Sequence, residues 1–245
     1  MTDRGRILVV DDEPSARSAL HQLLSLEGYE VESAADGRAA LLKLGAFEPD
    51  VVQRLLPDWL SVEPVDGRAW VGLVPFFMRV STAGGLRAPW ASNFCETNVR
   101  TYVRDREGRT GIWFLSLDAA RFGAMAVART TYRLPYFWSA MSLDRSGDEV
   151  TYHCRRRWPG PRGVTSHVRV AVGEPYETRD LADLDHFLTA RWVLFSSSGQ
   201  RHRFARAWHE PWSLRRAEAR EVDDGLLQAA GLPGDYMASS VTSKD

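Results

Sequence analysis

The sequence predicts an α+β protein in which a mainly antiparallel sheet, closing toward a barrel or sandwich, follows a short β-α-β-α-β segment. Two changes in composition near Val52 predict this division. All nine tryptophans lie after that residue, and residues 1–52 hold five lysine or arginine residues against ten acidic ones, whereas the remainder holds 26 against 22. Such a shift favours a domain boundary. We predict an N-terminal segment over 1–52, a β-domain over 53–234 and a mobile tail over 235–245.

The overall composition is that of a soluble globular protein. Hydrophobic residues make up 44% of the chain, enough for a substantial core. No apolar run reaches the ~18 residues of a membrane helix, and the charged N-terminus does not resemble a signal peptide. We expect a cytoplasmic protein with no membrane partner. The cations of the second part are too few and too scattered to predict a nucleic-acid partner, and a homo-oligomer is left open.

The N-terminal segment alternates between strand and helix patterns. Residues Arg6 to Asp12 form a short apolar run that ends in two acids, typical of a buried parallel strand. Pro14 suits the first turn of a helix, and Gly28 ends it. The same patterns predict a second strand over 30–33, a second helix over 37–44 and the start of a third strand over 49–52.

Four motifs of this segment occur in the order found in one signalling family. They are Ile7-Leu-Val-Val-Asp-Asp-Glu13, Gly28-Tyr29-Glu30-Val31, Ala35-Asp36-Gly37 and Pro49-Asp50-Val51-Val52. The segment resembles a response-regulator receiver domain over about the first fifth of the chain. The resemblance implies that Asp11 and Asp12 hold magnesium and that an aspartate ending the third strand accepts a phosphoryl group.

The phosphoacceptor that the resemblance requires is absent. Counting from Asp50 places it at Leu55, and aligning the later Leu-Pro-Asp motif places it at Gln53. The later receiver strands are not recognisable downstream. We therefore favour the interpretation that Asp11 and Asp12 are a solvated acidic strand end without a metal. A phosphorelay or interaction role for this segment stands as the alternative function.

The second part consists of short β-like runs separated by turn signals, followed by two helices. The predicted strands cover residues 68–77, 94–103, 111–117, 126–133, 150–158 and 166–172. The predicted helices cover residues 181–195 and 217–230. This order favours an antiparallel sheet that closes on itself.

The strand over 94–103 carries the candidate site. Because side chains alternate, Glu96, Asn98, Arg100 and Tyr102 share one face with Phe94, and small or β-branched residues occupy the other. The polar row is either a solvated surface or the lining of a polar cavity. Glu96 and Arg100 are about 13 Å apart along the strand, a distance that a ligand could bridge.

A second, longer set of motifs carries a second resemblance. The motifs are Gly67-Arg-Ala-Trp-Val-Gly-Leu-Val-Pro-Phe76, Phe94-x-Glu-x-Asn-x-Arg-Thr-Tyr-Val103, Gly111-Ile-Trp-Phe-Leu-Ser-Leu-Asp118, Ala128-Arg129, Leu134-Pro-Tyr136 and His209-x-Pro-Trp212. They resemble the uncharacterised YqjF-like family over about residues 54–220, although the family's opening His-Trp-Pro strand is missing. That family is distantly similar to acetoacetate decarboxylase, which implies a cone-shaped, partly open β-barrel with a central pocket.

The chemistry of that decarboxylase is not carried over. It forms an imine through a lysine whose pKa a neighbouring cation depresses. The only lysines here are Lys43, in the receiver-like segment, and Lys244, in the predicted tail, and the alignment places Tyr136 and Phe137 where the decarboxylase has its lysine pair. Arginine cannot replace lysine as the nucleophile because its guanidinium stays protonated. We therefore expect no imine and no cofactor.

The preferred hypothesis is a small-molecule-binding β-barrel, or a non-Schiff-base enzyme, for a carboxylate or carbonyl compound. Glu96 would act as acid or base and Tyr136 would line the pocket as the second catalytic candidate. The expected ligand-binding residues are Asn98, Arg100, Tyr102, Arg129 and His209. Arg100 and Arg129 suit anionic groups because a guanidinium binds a carboxylate through two hydrogen bonds.

Two further patterns have alternative interpretations. His153 and His167 lie in different predicted strands and could face each other, but a metal site would need a third ligand. The run Arg155-Arg-Arg157-Trp158 could meet phosphate or carboxylate, although alternation divides it between two faces and favours solvated charges.

Overall fold

The computed structural model describes residues 6–10, 13–27, 30–34, 46–47, 49–78, 93–131, 133–198, 201–206, 212–233 and 241–244. The chain forms two compact units that divide after Ala46.

The first unit is a β-α-β arrangement. Strand β1 (Arg6–Val10) and strand β2 (Glu30–Ala34) pair in parallel, and helix α1 (Pro14–Leu26) connects them. The carboxylate of Glu13 accepts hydrogen bonds from the amides of Ser15 and Ala16, which caps the helix, and Pro14 occupies its first position. These three elements confirm the predicted start of the receiver-like segment. Asp11, Asp12 and the helix predicted over 37–44 lie outside the described residues.

The third strand predicted for the receiver-like segment is wrong. A two-residue strand, β3 (Ala46–Phe47), is followed by a short helix, α2 (Pro49–Gln53). The side-chain amide of Gln53 donates to the carbonyl of Leu60 and accepts from the amide of Val62, both at 2.9 Å. Val52 is fully buried. Side-chain hydrogen bonding and burial thus favour a helical turn over the extended strand that local propensity predicts.

The second unit is built on one large sheet. Its further strands are β4 (Leu60–Val62), β5 (Ala69–Met78), β6 (Phe94–Asp105), β7 (Thr110–Ala119), β8 (Tyr136–Ser146), β9 (Glu149–Trp158), β10 (Thr165–Pro175), β11 (Val193–Ser198), β12 (Arg201–Arg206), β13 (Leu214–Asp224) and β14 (Val241–Lys244). The main order is β14-β13-β10-β9-β8-β7-β6-β5-β3, with β4 on β6 and β11 between β7 and β12. Only β7–β8 and β7–β11 are parallel among the described pairings of this unit. The mainly antiparallel, half-barrel sheet confirms the predicted fold class.

The connection between β7 and β8 differs from the prediction. Helix α3 (Phe122–Thr131) covers most of the strand predicted over 126–133, and β8 (Tyr136–Ser146) lies between two of the predicted strands. The cause is the parallel pairing of β7 with β8, because parallel strands need a crossover and a helix usually provides it. Arg129 therefore lies on a helix.

Both C-terminal helices are shorter than predicted. Over 181–195 the structure has helix α4 (Asp183–Thr189), after a 3-10 turn (Thr178–Asp180), and then β11. Over 217–230 it has most of β13 and only a short helix, α5 (Leu226–Ala229). The alanine, arginine and glutamate residues of β13 favour a helix locally. Pairing with β10 on one side and β14 on the other overrides that preference.

Four residues of the predicted mobile tail form a strand. In β14, Val241 to Lys244 pair with Ala217 to Leu214 of β13. Lys244 therefore belongs to the backbone ladder of the sheet, which corrects the expectation that the β-domain contains no lysine. In the sheet order it is six strand pairings from β6.

Two apolar clusters hold the sheet together. One contains Trp59, Leu60, Val103 and Phe195, and Trp59 contacts the Phe195 ring edge to face at 5.7 Å. The other is a row of four buried valines on β9 and β10: Val150, Val168, Val170 and Val172. Within the described part of the chain, no helix is long and apolar enough to cross a membrane.

Candidate functional site

The polar row predicted on β6 is buried. The exposed fractions of Glu96, Asn98, Arg100 and Tyr102 are 2%, 4%, 7% and 2%. Strands β5 and β7 flank β6, so the row lies inside the sheet and not at its edge, and the helix residues Phe187 and Leu188 contact Arg100 and Tyr102 from above it. The interpretation of this row as a solvated face is therefore wrong.

Glu96 and Tyr136 come together from different strands. Glu96 lies opposite Ala119 of β7, and Tyr136 lies opposite Leu117 on the other side of the same strand. The Tyr136 hydroxyl donates a hydrogen bond to Glu96 Oε2 at 3.0 Å. The two residues predicted from sequence to be catalytic are thus in direct contact.

Burial changes the acidity of both groups. Burial raises the pKa of Glu96 to about 7, the nearby Asp118 charge adds to the rise, and the Tyr136 hydrogen bond opposes it. Burial also raises the pKa of Tyr136, and the adjacent Glu96 carboxylate raises it further. The phenol therefore remains a hydrogen-bond donor at neutral pH, whereas the carboxyl can gain or lose a proton there.

Arg100 and Tyr102 bind a protein carbonyl. Arg100 Nη2 and the Tyr102 hydroxyl each donate to the Leu188 carbonyl at 3.0 Å, and the rings of Tyr102 and Phe187 are 4.8 Å apart. Both residues thereby hold helix α4 against β6. Two polar atoms of the row are buried without a hydrogen-bond partner among the described residues: Asn98 Oδ1 and Arg100 Nε.

Arg129 reaches toward Tyr136 from helix α3. Its Nη1 donates to the Tyr136 carbonyl at 2.6 Å, and its guanidinium lies 5.9 Å from the Trp158 ring centre. Arg129 also lines a cleft of about 500 Å³ together with Trp113, Arg133 and other residues of the second unit. A second cleft, of about 700 Å³, contains Trp138 and Arg155.

The polar row of β6 and the two clefts are separate features of the described residues. Glu96, Asn98, Arg100 and Tyr102 line neither of these two clefts. His209, predicted at a pocket rim, lies outside the described residues, as do Asp11 and Asp12.

A buried ion pair on the opposite face of the sheet was not predicted. Asp118 accepts hydrogen bonds from Arg156 Nε at 2.9 Å, Arg156 Nη2 at 2.6 Å and Ser139 Oγ at 2.6 Å. The Arg156 guanidinium also lies 3.6 Å from the Phe137 ring centre. The charge of Arg156 is thus buried, which corrects the expectation of solvated charges for that residue. The sequence did contain a signal for this, because side chains alternate along a strand and Arg156 must lie on the face opposite to Arg155 and Arg157.

The predicted pair of histidines is confirmed as a contact. His153 and His167 lie opposite each other on β9 and β10, with their Nδ1 atoms 3.0 Å apart. Glu221 Oε2 is 3.5 Å from His167 Nε2. The described residues contain no group of three or more histidine, cysteine, aspartate or glutamate side chains arranged to hold a metal ion.

The fold and the candidate site define a β-domain with a mainly antiparallel half-barrel sheet and a buried polar strand. Over residues 45–244 the chain matches, and therefore belongs to, the DUF2071 family, described as an uncharacterized conserved protein. It is 32% identical over 183 residues to the uncharacterized protein YqjF of Bacillus subtilis, with 74% of each chain covered. Residues 7–54 match the response regulator receiver domain, which confirms the receiver-like segment.

Two solved structures show a partial likeness to this chain. The enduracididine biosynthesis enzyme MppR, solved with HEPES buffer bound, is 16% identical, with 76% of this chain and 73% of MppR covered and a TM-score of 0.52. Acetoacetate decarboxylase from Legionella pneumophila is 15% identical over 74% of this chain and 70% of its own, with a TM-score of 0.48. At 16% identity the likeness to MppR concerns the fold alone.

Proposed function

We propose that the second unit binds a small carboxylate or carbonyl compound beside Glu96 and Tyr136, with Glu96 as the acid-base group and without an imine intermediate. The observation that carries this proposal is a carboxyl group that is almost completely buried and bonded to one phenol among the described residues. A buried carboxyl without a cationic partner costs stability. Such a cost is common at sites that need a proton donor or acceptor at neutral pH.

The neighbouring polar atoms supply recognition. Asn98 is two residues from Glu96 on the same face, about 7 Å along the strand, and its buried Oδ1 has no partner within the described residues. Arg100 Nε is likewise unpartnered there and can donate to an anionic oxygen. A cationic donor and a carboxyl near neutral pKa suit a 2-oxo acid, whose carboxylate and carbonyl oxygens both accept hydrogen bonds.

The structural likeness supports this ligand class. MppR has also been solved in complex with pyruvate, with 15% identity to this chain and a TM-score of 0.51. In the present chain, Glu96, Tyr136 and Arg100 would contact a ligand of that class. Pyruvate is therefore the first compound to test.

The reaction available to this site is proton transfer at a carbon next to a carbonyl. Glu96 in its ionised form would take a proton from the pyruvate methyl group, and the hydroxyl of Tyr136 or a guanidinium nitrogen of Arg100 would stabilise the enolate oxygen. Returning a solvent proton to the same carbon regenerates pyruvate. In D₂O this cycle would replace the methyl protons with deuterium, which proton NMR detects directly.

Calorimetric titration with pyruvate, together with the deuterium-exchange assay, tests the site in three variants. We expect Glu96→Gln to abolish deuterium exchange and Arg100→Met to weaken binding about tenfold, the effect of losing one charge-assisted hydrogen bond. Arg104→Met is the matched control, since Arg104 lies on the same strand but its side chain is half exposed and pairs with Glu63. Unchanged pyruvate affinity in both Glu96→Gln and Arg100→Met would refute the site.

The absence of an imine has its own test. Borohydride reduction of the protein with pyruvate should leave the protein mass unchanged, because Tyr136 stands where the aligned decarboxylase has lysine. A mass increase by one reduced pyruvate adduct that disappears in Lys244→Arg would assign an imine to Lys244 and overturn this part of the proposal.

A further inference from the structure

A second candidate binding site lies apart from Glu96, on the β8–β9 hairpin. The cleft of about 700 Å³ is lined by three aromatic residues, four arginines, one alanine and one glycine. Its volume falls within the ~300–1,000 Å³ range of small-molecule sites. Trp138 lies opposite Trp158 and Ala140 opposite Arg155 in the ladder, so both strands contribute to the same wall.

The aromatic residues of this cleft leave apolar surface open to solvent. Phe122 is 53% exposed and Trp158 is 44% exposed. Phe122 packs edge to face on Trp138 at 5.7 Å and lies 6.3 Å from Trp158. Three rings at these separations fix one another and offer flat apolar surface to a planar group.

Three of the four arginines of the cleft have no ion-pair partner among the described residues. Arg155, Arg157 and Arg162 are exposed, and within the described residues none of them forms an ion pair or donates a hydrogen bond. The guanidinium of Arg157 lies over the Trp138 ring at 5.1 Å, which holds a cation beside the aromatic wall. The fourth, Arg156, is neutralised by Asp118 beneath the cleft. Three cations therefore remain for a ligand.

We propose that this cleft binds a small planar aromatic anion, an aryl carboxylate or aryl phosphate. The ring would stack against Trp138, Trp158 or Phe122, and the anionic group would bind Arg155, Arg157 or Arg162 through charge-assisted hydrogen bonds. Aromatic walls alone would accept any flat ligand, and cations alone any anion. Their combination selects a ligand that has both features.

Calorimetric titration with 2-naphthoate and with naphthyl phosphate tests the proposal on the full chain. We expect binding of both, weakening as sodium chloride is raised, and at least tenfold weaker binding of the neutral 2-naphthalenemethanol and of the non-aromatic cyclohexanecarboxylate. The ratio of the naphthoate and phosphate affinities identifies which anionic group the site prefers. Equal binding of all four compounds, or none, would refute the proposal.

Variants locate the binding. Arg155→Gln and Arg157→Gln should each lower the affinity for 2-naphthoate about tenfold, and Phe122→Leu should lower it severalfold. Arg145→Gln is the matched control because Arg145 is an exposed arginine near the other end of the same hairpin, where its Nε contacts the Gly147 carbonyl. Equal losses in Arg145→Gln and Arg157→Gln would show non-specific charge attraction and contradict the assignment.

A different occupant would also be detected. Single-stranded nucleic acid combines stacking bases with phosphates and so satisfies similar chemistry. Binding of a short thymidine oligonucleotide that depends on Arg155 and Arg157, without binding of 2-naphthoate, would replace the small-molecule proposal. Because Glu96 does not line this cleft, Glu96→Gln should leave 2-naphthoate affinity unchanged, which separates this proposal from the pyruvate site.

Discussion

Two buried carboxyl groups, Glu96 on β6 and Asp118 on β7, lie on opposite faces of the sheet and differ in their hydrogen-bond partners. Asp118 pairs with Thr97, and Glu96 pairs with Ala119. These are successive pairs of the ladder, so the two side chains point to opposite faces of the sheet. Among the described residues, Asp118 accepts three hydrogen bonds, two of them from a guanidinium, whereas Glu96 accepts one from a phenol. The first arrangement stabilises a charge that the fold retains. The second leaves a carboxyl whose charge state the environment can change.

The largest expected effect on stability comes from removing the charge of Asp118. Asp118→Asn would leave the Arg156 charge buried without a counter-ion, and we expect a loss of about 3–5 kcal/mol in the free energy of unfolding. Urea denaturation at neutral pH measures this. Arg157→Met, on the adjacent exposed residue, is the control and should change stability by no more than about 0.5 kcal/mol. A loss below about 1 kcal/mol for Asp118→Asn would show that the pair is not structural.

The next effect concerns the pH dependence of stability that Glu96 causes. Its pKa in the folded protein, about 7, is above the ordinary 4.5, so the folded state binds this proton more tightly than the unfolded chain does. The folded state is therefore penalised as pH rises from about 4.5 to 7, by about 3 kcal/mol in all, and the penalty is constant above pH 7. Glu96→Gln removes this dependence.

Urea denaturation of wild-type protein and Glu96→Gln at pH 5 and pH 8 measures that difference. We expect the wild type to lose about 2–3 kcal/mol more than the variant between the two pH values, since most of the penalty develops in this interval. Parallel pH profiles for the two proteins would mean that Glu96 is ionised throughout. The contrast with Asp118 would then be lost.

The smallest expected effect on stability comes from removing the Tyr136 hydroxyl. Tyr136→Phe removes the only hydrogen bond that Glu96 accepts within the described residues, and we expect a loss of about 1 kcal/mol at neutral pH. Because that bond lowers the pKa of Glu96, its removal should raise this pKa further. Infrared difference titration of the protonated carboxyl group would follow the change. A lower pKa in Tyr136→Phe would contradict the assigned direction of the hydrogen bond.

Strands with strong alternation could be predicted from the sequence. The pattern over 94–103 placed Glu96, Asn98, Arg100 and Tyr102 on one face, and the structure buries all four. The facing histidines on β9 and β10 followed from the same principle. Period-two alternation determines which side chains share a face, but it does not determine whether that face is covered by other elements.

The wrong predictions came from segments whose neighbours decide their conformation. The alanine and arginine residues of β13 favour a helix until two flanking strands provide a ladder. Helix α3 replaced a predicted strand because β7 and β8 are parallel, a long-range fact that the local sequence does not contain. Likewise, Asp118 and Arg156 are 38 residues apart, and only the tertiary fold brings them together.

Titration of the glutamate carboxyl carbons by ¹³C NMR would show whether Glu96 is the acid-base group of a ligand site. Wild-type protein should show one carboxyl signal with a midpoint near pH 7, that signal should be absent in Glu96→Gln, and saturating pyruvate should shift its midpoint. A glutamate spectrum in which every carboxyl titrates near pH 4.5, or a Glu96 signal that pyruvate leaves unchanged, would contradict the assignment of Glu96 as the acid-base group of a ligand site.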